Sequence, residues 1–218
     1  MKTSHVLYFM ILFFFVMEMS SCNRPETEYW PNGRKKSEIF KEDGKMNGVS
    51  TWYWENGVKQ MQCTYQNDKL SGVLSRWNLR GIKILEQNYA LDKLNGISTI
   101  WNDDGVMISE ETYTNDVPNG SYRVWWNENN PKVTGFYKNG KIDGEWNYYN
   151  ETGKKVGAGI FNNGSGVLKS FFPDGKLEYE THYVNNKKDG TERIYNAKGQ
   201  LLQEIVYKNG ERQGKKTN

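Results

Sequence analysis

Five glutamates recur at one position of a regular spacing, and they are the residues best placed for acid–base chemistry. They are Glu38, Glu86, Glu110, Glu180 and Glu204, in a column whose other members are Gln62, Thr134 and Ala158. Neighbouring carboxylates can share the acid and base roles of a hydrolase. On alternate strands of a sheet they would stand about 9.6 Å apart, at the wide end for such pairs. Because lysines are abundant nearby, we predict a solvated ladder of ion pairs instead of a catalytic site.

Histidine and cysteine, the usual metal ligands and nucleophiles, are scarce. The chain contains only His5, His182, Cys22 and Cys63. Their spacing matches no zinc site, and the sequence has neither a serine-nucleophile motif nor a phosphate-binding glycine loop. We interpret His182 and Cys63 as strand residues that pack. The sequence therefore predicts no catalytic residues, no metal and no cofactor.

The N-terminus predicts export. Lys2 precedes an apolar run over residues 6–17, which as a helix is about 18 Å long, shorter than a bilayer core of about 30 Å. Such a run is typical of a signal peptide. The ending Ser20-Ser21-Cys22 resembles a bacterial lipobox, in which the cysteine is lipidated. We expect a signal peptide over residues 1–21 and a lipoprotein anchored through Cys22 to the outer membrane or cell envelope. The alternatives are an ordinary cleaved signal and an uncleaved anchor.

Glycines recur every 24 residues along most of the chain. The first series is Gly33, Gly57, Gly81, Gly105, Asn129 in the glycine place, Gly153, Gly175 and Gly199. The second series is Gly48, Gly72, Gly96, Gly120, Gly144, Gly166, Gly190 and Gly214. Each series has one 22-residue step, and both short steps cross residues 161–166. A fixed period of this length indicates a repeat architecture.

Aromatic residues mark half of the period, with one about every 12 residues. The regular positions include Tyr53, Tyr65, Trp77, Tyr89, Trp101, Tyr113, Trp125, Tyr137, Tyr149, Tyr183, Tyr195 and Tyr207. One aromatic followed by a polar, glycine-bearing stretch predicts one strand and one turn. We interpret these aromatics as a structural ladder and the glycines as turn residues.

The repeats therefore predict an all-β fold, an elongated single-layer antiparallel meander of about eight stacked 24-residue β-hairpins. Dipeptides such as Asn32-Gly33 favour tight hairpins, whereas loops such as 139–144 are expected to be longer. We expect 15 or 16 strands, a repeat domain over residues 29–214, a tether over residues 22–28 and a polar tail over residues 215–218. A helical repeat is disfavoured because polar turn formers interrupt every long run.

The repeat resembles a known family. The pattern pairs an aromatic-x-x-x-Gly segment, as in 149–153, with a Tyr-x-Asn-Gly-Lys-x-x-Gly segment, as in 137–144. It is similar to the bacterial variant of MORN repeats, found in proteins called YwqK-family antitoxins, over about residues 29–214. The resemblance implies an elongated sheet of hairpins with a binding or scaffolding role.

Four aromatic residues outside the regular positions, together with one valine, are the candidate binding surface. They are Tyr122, Val124, Trp126, Trp146 and Tyr148. Exposed aromatic area on a one-layer sheet is typical of an interface. We predict a membrane-tethered scaffold that binds another protein. An antitoxin or immunity protein and an envelope glycan-binding protein are the alternatives. The net charge of +3 is spread over the chain and does not indicate nucleic-acid binding.

Overall fold

The computed structural model describes residues 24–217, with side chains through residue 214. All regular secondary structure in this range is β-strand. The strands are β1 Glu26–Tyr29, β2 Lys35–Ile39, β3 Lys41–Glu42, β4 Lys45–Met46, β5 Gly48–Tyr53, β6 Lys59–Gln66, β7 Lys69–Leu70, β8 Gly72–Trp77, β9 Lys83–Ala90, β10 Lys93–Trp101, β11 Met107–Thr114, β12 Val117–Trp125, β13 Pro131–Lys138, β14 Lys141–Tyr149, β15 Lys155–Asn162, β16 Ser165–Phe171, β17 Leu177–Val184, β18 Lys187–Tyr195, β19 Leu201–Lys208 and β20 Glu211–Thr217. Within residues 24–217, no helix is long and apolar enough to cross a membrane. The predicted signal peptide and Cys22 lie outside the described residues.

The strands form an open antiparallel meander, which confirms the predicted fold class. Eighteen of them belong to one sheet, and β3 and β4 form a separate two-stranded ribbon. The strands follow 17 lines, because short interruptions divide β2 from β3, β4 from β5 and β7 from β8. At the two ends of the sheet, β1 pairs only with β2 and β20 only with β19.

The sheet is slightly wider than the sequence predicted. Its first strand begins at Glu26, inside the expected tether, and its last continues to Thr217, inside the expected polar tail. Sixteen turns separate 17 strand lines, one line more than the 15 or 16 strands expected. The tail residues extend the last hairpin because β19 offers them a free edge to pair with.

The first glycine series forms five-residue turns. In residues 54–58, the Trp54 N–H donates to the Val58 carbonyl and the Gly57 N–H donates to the Trp54 carbonyl, both at 2.8 Å. Gly57 has a φ of +88°, as expected for a type I turn closed by a glycine bulge. Asn129 is the exception, since its φ is not positive and its N–H donates to the Asn127 Oδ1 at 3.1 Å.

The second glycine series follows two-residue turns, which corrects the longer loops predicted there. Asn139 and Gly140 both have positive φ values, +50° and +77°, while Lys138 and Lys141 pair directly. This is a type I′ turn, whose twist matches that of the strands it joins. The predicted loop 139–144 is therefore a tight turn followed by the start of β14.

A β-bulge after most of these turns absorbs two extra residues. On β12 the register steps from Pro118 to Tyr122 while β11 advances by only two residues. Gly120 lies in this bulge with a φ of +136°, so close to the opposite strand that a Cβ would stand 2.7 Å from the Thr112 Cβ. Glycine is required by both the backbone conformation and the contact.

The shortened repeat has lost this bulge. From Asn162 opposite Ser165 to Gly157 opposite Ser170, β15 and β16 pair residue by residue without a shift. The 22-residue step is therefore the 24-residue unit without its two bulge residues.

The two faces of the sheet carry different aromatic residues. Because side chains alternate along a strand, the ladder predicted from the sequence divides into two ladders. The tyrosine face carries Tyr65, Tyr89, Tyr113, Tyr137, Phe161, Tyr183 and Tyr207, and the tryptophan face carries Tyr53, Trp77, Trp101, Trp125, Tyr149, Phe171 and Tyr195. These side chains are half-buried, apart from Phe161, which is buried.

The most buried side chains lie in the middle row of the tyrosine face. This row includes Cys63, Ser98, Trp146, Thr181, Glu192 and Ile205. The core is thus mainly this row, flanked by the tyrosines, and a second buried row on the tryptophan face contains Thr51, Ser75 and Thr99. A thin sheet stabilised by aromatic area is expected to have such a core.

Candidate functional site

The glutamate column forms one row across the tryptophan face, with a residue of the intervening strand between successive members. Arg193 stands between Glu180 and Glu204, with N–O distances of 3.6 Å and 3.1 Å. Lys169 lies 3.3 Å from the other side of Glu180. No two members of the column are adjacent, and the row acts as an alternating ion-pair ladder in the later repeats.

Glu38, the first member of this column, is held by one ion pair and one hydrogen bond. Lys35 approaches the Glu38 carboxylate at 2.5 Å, and the Tyr53 hydroxyl donates to it at 2.6 Å. The hydrogen bond from Lys35, followed by that from Tyr53, lowers the pKa of Glu38. A carboxylate stabilised in its charged form is a structural ion-pair partner and a poor general acid.

His182 and Cys63 both take part in packing. The His182 Nδ1 lies 2.8 Å from the Thr191 carbonyl oxygen on the adjacent strand. Cys63 is buried, and burial raises the pKa of its thiol, which disfavours the reactive thiolate. Among residues 24–217, no three His, Cys, Asp or Glu side chains are arranged to hold a metal ion.

The structure does not assemble the predicted binding residues into one exposed surface. Trp146 is only 4% exposed. Its ring stacks on Tyr122 at 5.5 Å between centroids and meets the edge of Tyr137 at 5.1 Å. Its indole N–H donates to the Phe136 carbonyl at 3.2 Å. Trp146 is therefore part of the core of the tyrosine face, not an anchor for a partner.

The other predicted residues have separate positions. Val124 and Tyr148 lie half-buried on the tyrosine face, and burial raises the pKa of the Tyr148 phenol. Trp126 begins a turn at the sheet margin, where its indole N–H donates to the Tyr149 carbonyl of the next repeat at 2.8 Å. The Lys132 ammonium lies over its ring at 4.1 Å. Trp126 thus connects consecutive repeats.

The exposed apolar side chains of this region lie on the opposite, tryptophan face. Ile160, in the middle of β15, is 77% exposed, and Phe136 on β13 is 44% exposed. Beside Ile160 is a depression of about 440 Å³ lined by Val167, Phe171 and the flanking Glu145 and Lys169. This is an apolar patch with one charge of each sign at its rim.

The missing bulge explains why Ile160 is uncovered. In several repeats the bulge glycine lies against the side chain at this column position, as Gly96 does against Asn88 and Gly190 against His182. Between β15 and β16 there is no bulge, and the Ile160 side chain is left 77% exposed. The sequence contained no clear signal for this site, because the column where Ile160 stands holds polar Thr64, Asn88 and Thr112 but also apolar Phe136 and Val206.

Comparison with known families supports the repeat assignment. Four segments, residues 46–67, 94–115, 165–185 and 188–209, match the MORN repeat variant family. No curated protein matches the chain. MORN repeats are generally modules that bind proteins or membranes, and scaffolds built from them are typically non-catalytic. Four hairpin units of this chain are therefore similar to MORN repeats of the variant type.

Proposed function

We propose that this protein is a non-catalytic repeat scaffold, tethered to a membrane, that binds a partner protein on its tryptophan face. The observation that carries the proposal is the exposure of Ile160 in the centre of a regular strand. A large aliphatic side chain with most of its surface in water is stabilised when a partner covers it, by about 25 cal/mol per Å² of apolar area.

The surroundings of Ile160 favour a protein partner. Val167 and Phe171 extend the apolar area, and the Glu145 and Lys169 side chains bound the same depression. An apolar centre with a charged rim is the usual composition of a protein–protein interface. The continuous pairing of β15 with β16 also holds the backbone under these side chains in place, so that binding orders few groups.

The tether rests on the lipobox resemblance at Cys22. Only three residues lie between Cys22 and Glu26, where β1 begins, so an extended connection spans at most about 14 Å. A lipid on Cys22 holds the first repeat beside the membrane and leaves the patch around Ile160 many strands away. Membrane fractionation tests this point, since Cys22→Ser releases a lipid-anchored protein, and unchanged retention excludes the anchor.

Site-specific photo-crosslinking tests the binding surface. A photoreactive phenylalanine replaces Ile160 in one variant and Val73 in a control, since Val73 is exposed on the same face about 34 Å away. We expect a crosslinked partner from position 160 and none from position 73. Equal crosslinking at the two positions, or none at either, contradicts a partner site at Ile160.

A further inference from the structure

A column on the tryptophan face alternates aromatic rings with lysine ammonium groups. Lys59 lies 5.5 Å from the ring centroid of Trp77, and Lys83 lies 5.9 Å from the centroids of both Trp77 and Trp101. An ammonium group at this distance from an indole face is attracted by its negative quadrupole. The slot between Trp77 and Trp101 is therefore filled by a lysine of the chain itself.

The strand register sets this arrangement. Lys83 on β9 pairs with Trp77 on β8 and reaches towards Trp101 on β10, the strand on its other side. Its ammonium is also paired with the carboxylate of Glu86, three residues later. One slot thus supplies an ammonium group with two indole faces and one carboxylate.

The next slot has the same construction without the lysine. Met107 pairs with Trp101 as Lys83 pairs with Trp77, and Glu110 stands three residues later as Glu86 does. Between Trp101 and Trp125 there is a cavity of about 310 Å³, which Met107 and Glu128 also line. Among the described side chains, no lysine or arginine lies over the Trp125 ring.

The carboxylates around this slot are paired more loosely than that of Glu86. The nearest basic group to Glu110 is Arg123 at 3.9 Å, the weak limit of an ion pair, and Glu128 is exposed at the cavity rim. Glu86 in the neighbouring slot has its lysine at 2.5 Å. The cavity therefore has two indole rings and the Glu128 carboxylate, but Met107 stands where the neighbouring slot has Lys83.

We propose that the slot between Trp101 and Trp125 binds a lysine side chain of a partner protein. The chain's own Lys83 shows which group such a slot accepts, and carboxylates favour a primary ammonium because it donates hydrogen bonds. The thioether of Met107 is flexible and polarizable, so it adapts to the aliphatic stem of the incoming lysine. The inference rests on the proposed function, and the slot lies on the same face as Ile160, four strands and about 19 Å away across the sheet.

Nuclear magnetic resonance of the ¹⁵N-labelled mature protein tests the slot by the indole N–H signals of Trp101 and Trp125. The probe is Nα-acetyl-lysine methylamide, with the norleucine analogue as the uncharged control and choline as a quaternary ammonium. We expect a saturable shift of both signals with the lysine probe and a much weaker one with the other two.

Met107→Lys supplies the missing ammonium from within the chain, and Met107→Leu is its matched control. We expect Met107→Lys to weaken binding of the lysine probe at least about tenfold and Met107→Leu to retain it. The assignment to lysine is overturned by absent saturation, by an equal response to norleucine, by tighter binding of choline, or by unchanged binding in Met107→Lys. Because this readout needs no partner, its failure leaves the crosslinking result at Ile160 unaffected.

Discussion

The indole of Trp146 lies directly over the backbone of Gly135 on the neighbouring strand. A Cβ placed on Gly135 would stand 2.3 Å from the nearest indole atom. Tyr122 and Tyr137 close the remaining sides of the ring, and its N–H is satisfied by the Phe136 carbonyl. This pair shows how a sheet of one layer builds a core, since a large ring is buried where the facing residue has no side chain.

The first prediction is that Gly135→Ala destabilises the fold by about 1–3 kcal/mol, because the new methyl group forces the indole out of its place. Chemical denaturation of the purified protein measures the change. Trp146→Leu in the same background relieves the overlap, so the two substitutions are expected to be non-additive. Equal stability of Gly135→Ala and wild type contradicts the packing described for this pair.

A second prediction concerns the bulge glycines. Gly120→Ala is expected to cost about 2–3 kcal/mol, since it combines an unfavourable backbone conformation with a contact to Thr112. Gly199→Ala is the control, because Gly199 also has a positive φ but nothing within 4 Å of its Cβ position. It should cost only the backbone part, about 1 kcal/mol. If the two variants melt together, the contact with Thr112 contributes nothing.

A third prediction tests the buried ion pair of β18. Glu192 is 5% exposed and accepts hydrogen bonds from Thr181 at 3.2 Å and Tyr179 at 3.3 Å. Lys188 is its cation, and although burial alone lowers the pKa of this ammonium, the hydrogen bond to Glu192 raises it overall. Lys188→Met should destabilise the protein by about 3 kcal/mol, because it leaves a buried charge unpaired.

The matched test adds Glu192→Gln to Lys188→Met. The amide keeps an oxygen for Thr181 and Tyr179 but carries no charge, so we expect much of the lost stability to return. Thermal unfolding of the four proteins of this cycle gives the coupling energy. A double variant as unstable as Lys188→Met alone would show that the charge of Glu192 is not the cause.

The fourth prediction is a loss of stability at alkaline pH. Burial raises the pKa of Tyr65 and Tyr183 to about 12, from an ordinary value of 10. The folded state therefore retains protons that the unfolded chain releases, and this stabilisation is complete below pH 10 and lost as the pH rises towards 12. Denaturant titrations at stepped pH, with tyrosinate absorbance, measure it.

Tyr65→Phe and Tyr183→Phe serve as controls for this effect. Phenylalanine preserves the ring but has no phenolic proton, so each variant should lose less stability than wild type across the same interval. Stability that is constant from pH 10 to 12 would contradict the burial of these phenols.

The repeat fold was predictable because its signals are local and repeated. Tyr137 and Gly144 have counterparts at the same spacing along the chain, and each dipeptide turn specifies a reversal by its own chemistry. The bulges were not predictable in this way, because they depend on contacts between strands. Gly120, for example, is required by its close approach to Thr112 on the opposite strand. Because the sequence prediction counted the bulge residues as part of the loop, it overestimated the length of the turns in the second glycine series.

The candidate site was harder to predict, because exposure depends on what lies opposite. Tryptophan is a residue type typical of interfaces, yet the absence of a side chain on Gly135 makes room for Trp146 in the core. Isoleucine is a residue type typical of the core, yet Ile160 is exposed. The two-residue deletion that follows it removes the bulge between β15 and β16. Only the pairing of β15 with β16 reveals this difference.

The central claim is that a partner protein binds around Ile160, and the most direct measurement is recovery of that partner by the Ile160→Glu variant. A charge in the middle of the apolar patch opposes burial by a partner, whereas the 77% exposure of Ile160 predicts little effect on folding. Capture from detergent-solubilised envelope is compared with wild type and with Val73→Glu at matched thermal stability. We predict at least a tenfold loss of captured partner for Ile160→Glu and none for Val73→Glu. Undiminished capture by a folded Ile160→Glu protein would contradict the proposed function of this face.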